Sequence, residues 1–278
     1  MIAGSDISPA PRNGAGCPAF LEQGSGTTPV LFLHGIGGGA DSWLRQLEFF
    51  GRSRRAIAWW MPGYGPSASL SDMTFDALAD AVVALLDRLE LPRVHLVGHS
   101  IGGMVAQTLA GRAQDRLASL TLSATSPAFG SKDGDFQKAF VEKRLKPLDD
   151  GFSLADLAPK IVAELVGDNV DMGAIEAAIA SMSQVPPASY RAAMSCVVHF
   201  DARPVLPTIR VPTQLVAGSQ DTNAPASMME RMAQKIAGAC FRVIEGAGHL
   251  ANMEQPAAFN QILSNFITDI EDKGPQTS

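Results

Sequence analysis

The chain has 278 residues, enough for one large α/β domain or for a domain with an insertion, and its 46% apolar, 18% charged composition can bury a substantial core. A formal net charge of −6, with no block of Lys or Arg, argues against nucleic acid or an anionic membrane surface as partner. No apolar run approaches the ~20 residues of a membrane span, and the N-terminus lacks the basic and apolar regions of a secretory signal. Cys17, Cys196 and Cys240 are odd in number and lack metal-ligand spacing, so reduced thiols in a cytoplasmic protein without a metal are expected. Dinucleotide, Walker and HExxH signatures do not occur.

Residues 1–17, rich in Pro, Gly and Ala, predict an irregular lead-in. Val30–Leu33 predicts a buried strand ending at His34-Gly35, and Ala56–Trp59 a second, stopped by Pro62-Gly63-Tyr64-Gly65-Pro66. Phe75, Leu78, Ala79, Val82, Leu85, Leu86 and Leu89 fall at helical spacing within a helix predicted over Thr74–Leu89. Val94–Val97 and Leu120–Leu122 are further strands, with a helix over Met104–Gly111 between them. Uniformly apolar strands alternating with helices imply a parallel sheet covered on both faces.

After Ser126-Pro127 the pattern becomes helical, over Phe136–Leu145, Leu154–Leu165, Met172–Met182 and Ser189–His199. Alternation returns with the strand running from Val211 to Gly218, a helix near 226–237, a strand at Phe241–Ile244 and a helix from Pro256 to about Ile267; the tail from Glu271 is polar and expected to fray. The expected organisation is therefore a core over 1–126 and 206–278 with a helical lid inserted at 127–205.

The strand at Val94–Val97 runs into Gly98-His99-Ser100-Ile101-Gly102. Flanking glycines permit a sharp strand-to-helix turn that lifts a serine oxygen out of the sheet. Such a serine needs a base and an orienting acid. Asp221, which follows a buried strand and precedes Pro225, is the preferred acid; Asp201, which follows no strand, is the runner-up. His249 in Gly246-Ala247-Gly248-His249, directly after a strand, is the preferred base over His34, His95, His99 and His199. Oxyanion donors are expected from the Ile101 N–H at the helix start and the Ile36 N–H in the loop His34-Gly35-Ile36-Gly37-Gly38-Gly39.

The segments LFLHGIGGG, MPGYGPS, VHLVGHSIGGMVAQTLA, VPTQLVAGSQD and IEGAGHLANMEQP together resemble the α/β-hydrolase superfamily over most of residues 18–268. The pairing of GHSIGGMVAQ with GAGHLANMEQP is most similar to 3-oxoadipate enol-lactonases and neighbouring carboxylesterases. The resemblance implies an α/β-hydrolase fold with a mostly parallel, doubly wound sheet of about eight strands, a helical lid and no cofactor. By position it assigns Ser100 as nucleophile, Asp221 as acid, His249 as base, and Ile36 and Ile101 as oxyanion donors. One departure is Trp60, where relatives often carry Asp before the PGYG turn; it is expected to alter pocket shape or loop order without abolishing catalysis.

The function expected is hydrolysis of a small-molecule carboxylic ester or lactone through an acyl-enzyme. The alternatives are cleavage of a carbon–carbon bond in a meta-cleavage-type diketone, and a ligand receptor with little turnover. Arg191 or Arg203 could pair with a substrate carboxylate, although surface ion pairs are the plainer use of each.

Overall fold

The computed structural model describes residues 8–9, 17–130, 134–168 and 170–273. Most of the predicted lead-in and the end of the predicted tail lie outside these residues. Strands β1 (Ser8–Pro9), β2 (Phe20–Gln23), β3 (Val30–Leu33) and β4 (Ala56–Trp59) come from the N-terminal part. They join β5 (Val94–His99), β6 (Leu117–Ser123), β7 (Thr213–Gly218) and β8 (Cys240–Ile244) in one sheet. The order is β1-β2-β4-β3-β5-β6-β7-β8, with β1 and β2 antiparallel to their neighbours and the rest parallel. This is the doubly wound α/β fold expected from the alternation.

Period-two alternation divides the strand side chains between two cores. Val30 and Phe32 pack with Ala56 and Ala58 against α1 (Leu44–Phe50) on one face. Leu31, Leu33, Ile57 and Trp59 pack on the other against α2 (Phe75–Arg88) and α3 (Ile101–Arg112). Both faces are covered, so every residue of β3, β4 and β5 is buried. Thr74 caps α2 by accepting the Ala77 N–H, placing the helix start one residue inside the predicted span.

The chain between β6 and β7 forms α4 (Asp135–Asp149), α5 (Leu154–Ala163), α6 (Met172–Ser183) and α7 (Pro187–Val197). Its two ends are drawn together where Phe129 N–H donates to Phe200 O (3.0 Å) and Ala202 N–H to Pro127 O (2.7 Å). After β7 come α8 (Ala226–Ala233), the single turn α9 (Ala251–Glu254) and α10 (Pro256–Asp272). Helix α10 runs past its predicted end, and Glu271, expected in a frayed tail, pairs with Arg54 at 2.7 Å. Among the described residues no helix is long and apolar enough to cross a membrane.

Topology brings the functional loops to one edge. Leu33 registers with Gly98 and Gly218 with Ile244, so the loops after β3, β5, β7 and β8 all leave the carboxyl edge of adjacent strands. In open parallel sheets ligands bind in the crevice at that edge.

Candidate active site

Ser100 sits between β5 and α3 with φ 54° and ψ −120°, an unusual conformation for a residue with a side chain. Its backbone is held on both sides: the N–H donates to Ser123 O (3.0 Å), and Thr125 Oγ1 donates to Ser100 O (2.8 Å). The flanking glycines are required by close approach. A Cβ on Gly98 would strike the Gly102 carbonyl, and one on Gly102 would strike the Leu33 carbonyl. Ser100 thus reaches a cavity of about 890 Å³ that His249 also lines.

Asp221 and His249 are brought together. His249 Nδ1–H donates to Asp221 Oδ2 at 2.8 Å, while Asp221 Oδ1 accepts the Asn223 and Ala224 N–H groups at 2.8 and 2.9 Å. Burial pushes the Asp221 carboxyl up, but the His249 charge and hydrogen bond, with those two N–H groups, outweigh it and leave the acid below its ordinary value. The acid therefore stays ionised and holds a His249 proton on Nδ1, which leaves Nε2 as the ring atom that could exchange a proton with Ser100. Among the described residues no hydrogen bond joins Ser100 Oγ to His249, and such contacts often tighten only when substrate is bound. Asp201 instead pairs with Arg203 on the surface and takes no part in this cluster.

The loop carrying His249 is fastened from several directions that the sequence did not suggest. Its N–H donates to Leu165 O (2.6 Å), and its own carbonyl accepts from His99 Nε2 (2.8 Å). Glu254, buried, accepts the Gly248 N–H and the Leu250 N–H at 2.9 Å each, and the Gly167 N–H at 2.7 Å. One carboxylate therefore joins both sides of His249 to the segment between α5 and α6. Gln220 Oε1 adds a bond from the Asp168 N–H at 2.7 Å. The only sequence signal for Glu254 was its position five residues beyond His249.

The glycine loop after β3 lines the same cavity through Gly35, Ile36, Gly37 and Gly38. Its base is set by His34, whose Nε2 accepts the Met61 N–H (2.9 Å), so that Nδ1 carries the proton and donates to Gly35 O (2.8 Å). Ile101 is buried at the first position of α3, where N–H groups lack intrahelical partners. Among the described residues neither the Ile36 nor the Ile101 N–H is used in another hydrogen bond. Trp60 lies outside the cavity wall. Its ring fills the space between Gly39 and Gly65, so tightly that a Cβ on Gly65 would come within 2.6 Å of its Cδ1. It therefore bears on the order of these two loops.

Burial lowers His34 to about 4 and His99 to about 3, from an ordinary value of 6.5. Below pH 6.5 the unfolded chain takes up protons that the native chain refuses. Each histidine thus withdraws about 1.4 kcal/mol of stability per pH unit, down to its folded value. Asp221, with a depressed folded value, adds loss in the same direction at still lower pH. Urea midpoints measured between pH 7 and pH 5 are expected to fall steadily, and His99→Asn should reduce that slope by about one proton. A flat profile would contradict the buried, neutral state of both rings.

The family model for the alpha/beta hydrolase fold matches residues 28–256, and the chain belongs to that family. Over 253 residues it is 33% identical to the dihydrolipoyllysine-residue acetyltransferase component of the acetoin cleaving system of Pseudomonas putida, covering 89% of this chain but 65% of that protein. It is 28% identical to 3-oxoadipate enol-lactonase 1 of Acinetobacter baylyi, covering 87% of this chain and 89% of the other. A thermophilic esterase from Thermogutta terrifontis, solved with malate bound, superposes with a TM-score of 0.81 at 29% identity, covering 91% and 93% of the two chains. This kinship supports an enzyme of the hydrolase class with esterase and lactonase relatives.

Proposed function

We propose that the protein is a serine hydrolase that cleaves a small-molecule carboxylic ester or lactone. The observation carrying this reading is the 2.8 Å His249–Asp221 pair, held at the same cavity as Ser100 on its strained turn. His249 Nε2 takes the Ser100 proton as Oγ attacks the carbonyl carbon. The Ile36 and Ile101 N–H groups receive the negative charge that develops on the carbonyl oxygen. The oxyanion then collapses, the leaving oxygen receives its proton from His249, and the acyl group stays on Ser100. Water activated by His249 releases the acid and restores the enzyme. No step calls for a cofactor or a metal.

Residues 127–205 act in this reading as a lid, because α4 to α7 supply much of the cavity wall opposite the sheet edge. The free Cys17, Cys196 and Cys240 fit a reducing, cytoplasmic setting. A panel of p-nitrophenyl esters, enol-lactones and vinylogous diketones tests the chemistry. Esters or lactones are expected to turn over at least roughly a hundredfold faster than the diketones in kcat/KM. Preferential cleavage of the carbon–carbon bond would overturn the ester assignment.

A further inference from the structure

The cavity is walled mainly by apolar side chains, among them Met104, Met182, Met194, Met228 and Phe129. Among its described lining residues there is no Asp or Glu, and besides the His99 and His249 imidazoles the one basic group is Arg144, on α4. The Arg144 side chain is only 11% exposed. Its ion pair is a long one, 3.5 Å from Glu164 Oε2, an oxygen that Lys143 also approaches at 3.7 Å. The guanidinium carbon stands 5.8 Å from the Phe140 ring centroid. Among the described residues it donates no hydrogen bond.

A guanidinium carries five N–H donors and is costly to remove from water without oxygen acceptors. Half of a long, shared contact with a surface carboxylate does not meet that requirement. Tyr190, on α7, lines the same cavity, and Arg144 acts on its hydroxyl electrostatically, against the effect of burial. A cation and a phenol hydroxyl thus share a cavity whose walls are otherwise largely apolar. Arg191 and Arg203, the cations suggested from sequence, are paired near the surface with Asp149 and Asp201 and do not line the cavity.

We propose that Arg144, with Tyr190 lining the same cavity, forms a carboxylate-binding subsite, so that the preferred substrates are esters or lactones bearing a second, free carboxylate joined by an apolar spacer. The proposal rests on the ester-hydrolase reading for its chemistry, while the subsite itself is a binding claim. The bound carboxylate takes no part in bond making; it orients the molecule with its scissile carbonyl at Ser100.

The test compares p-nitrophenyl half-esters of succinate, glutarate and adipate with the same compounds capped as methyl esters. The wild-type enzyme is expected to favour at least one free acid by roughly tenfold or more in kcat/KM. Arg144→Met is expected to lower the acid-to-capped ratio at least roughly tenfold, to near one, mainly through KM, as for truncation of one partner of a buried charged pair. A ratio near one in the wild type, or a ratio that Arg144→Met leaves in place, overturns the subsite. Calorimetric binding of monomethyl adipate and dimethyl adipate to Ser100→Ala separates the two claims. Tighter binding of the monoanion that requires Arg144, without hydrolysis of any ester by the wild type, keeps the subsite and removes the ester reading. Equal binding of the two ligands, or binding of neither, removes the subsite.

Discussion

Ser100→Ala is expected to reduce kcat for ester hydrolysis by roughly 10⁶ and to leave the fold in place. The residue is held by its backbone, through Ser123 O and Thr125 Oγ1, and both bonds survive the change. Alanine meets the same positive φ of 54° that serine already tolerates, so no new strain enters the turn. In the proposed mechanism what is lost is the attacking oxygen. The proposed oxyanion donors and the cavity persist, so a residual acceleration of roughly 10³–10⁴ over water is expected. Steady-state kinetics and a urea midpoint on the same preparation check both halves. Retention of more than about one per cent of kcat would remove Ser100 from the mechanism.

Asp221→Asn is expected to cost roughly 10⁴ in kcat with far less effect on folding. The reason is the direction of the hydrogen bonds. The Asn223 and Ala224 N–H groups point at Oδ1, so an asparagine there must place its carbonyl oxygen at that position. Its amide NH₂ then faces His249 Nδ1, where Oδ2 had accepted a proton. The ring is driven to the tautomer with its proton on Nε2, which cannot accept from Ser100. The defect is therefore one of protonation, and it should appear in kcat with KM little changed. A loss of less than about tenfold would mean that another acid orients His249.

Much of the site was legible because each element is local to a strand end. Ser100, Asp221 and His249 each follow an apolar run and sit beside turn-forming residues, so their placement could be read without knowing which strands pair. Helix α3 begins at Ile101, three residues before the predicted span Met104–Gly111, and so takes in Gly102 and Gly103. In the fold their missing side chains let α3 approach Leu33 and Thr125, and that packing outweighs their poor helix propensity. Strand β2 lacks the apolar run that marks β3 and β4, because only half of it is buried.

The supports of the site were not legible. Glu254 reaches across 87 residues to the Gly167 N–H, and no periodicity encodes such a contact. Arg144 carries the same difficulty: on the sequence it is one cation among several along an amphipathic helix. Its burial depends on how α4 and α7 close over the sheet edge. Trp60 could be recognised as a departure from the family pattern, yet its contact with Gly39 and Gly65 depends on two loops meeting in space.

The central claim is that Ser100 is a nucleophile activated by His249 and Asp221. It is tested most directly by treating the folded protein with a fluorophosphonate and locating the adduct by mass spectrometry. The expected result is one adduct per chain on the peptide containing Ser100, absent from Ser100→Ala and formed far more slowly in Asp221→Asn. An unmodified Ser100 in protein that is demonstrably folded, or an adduct carried by a different residue, would contradict it.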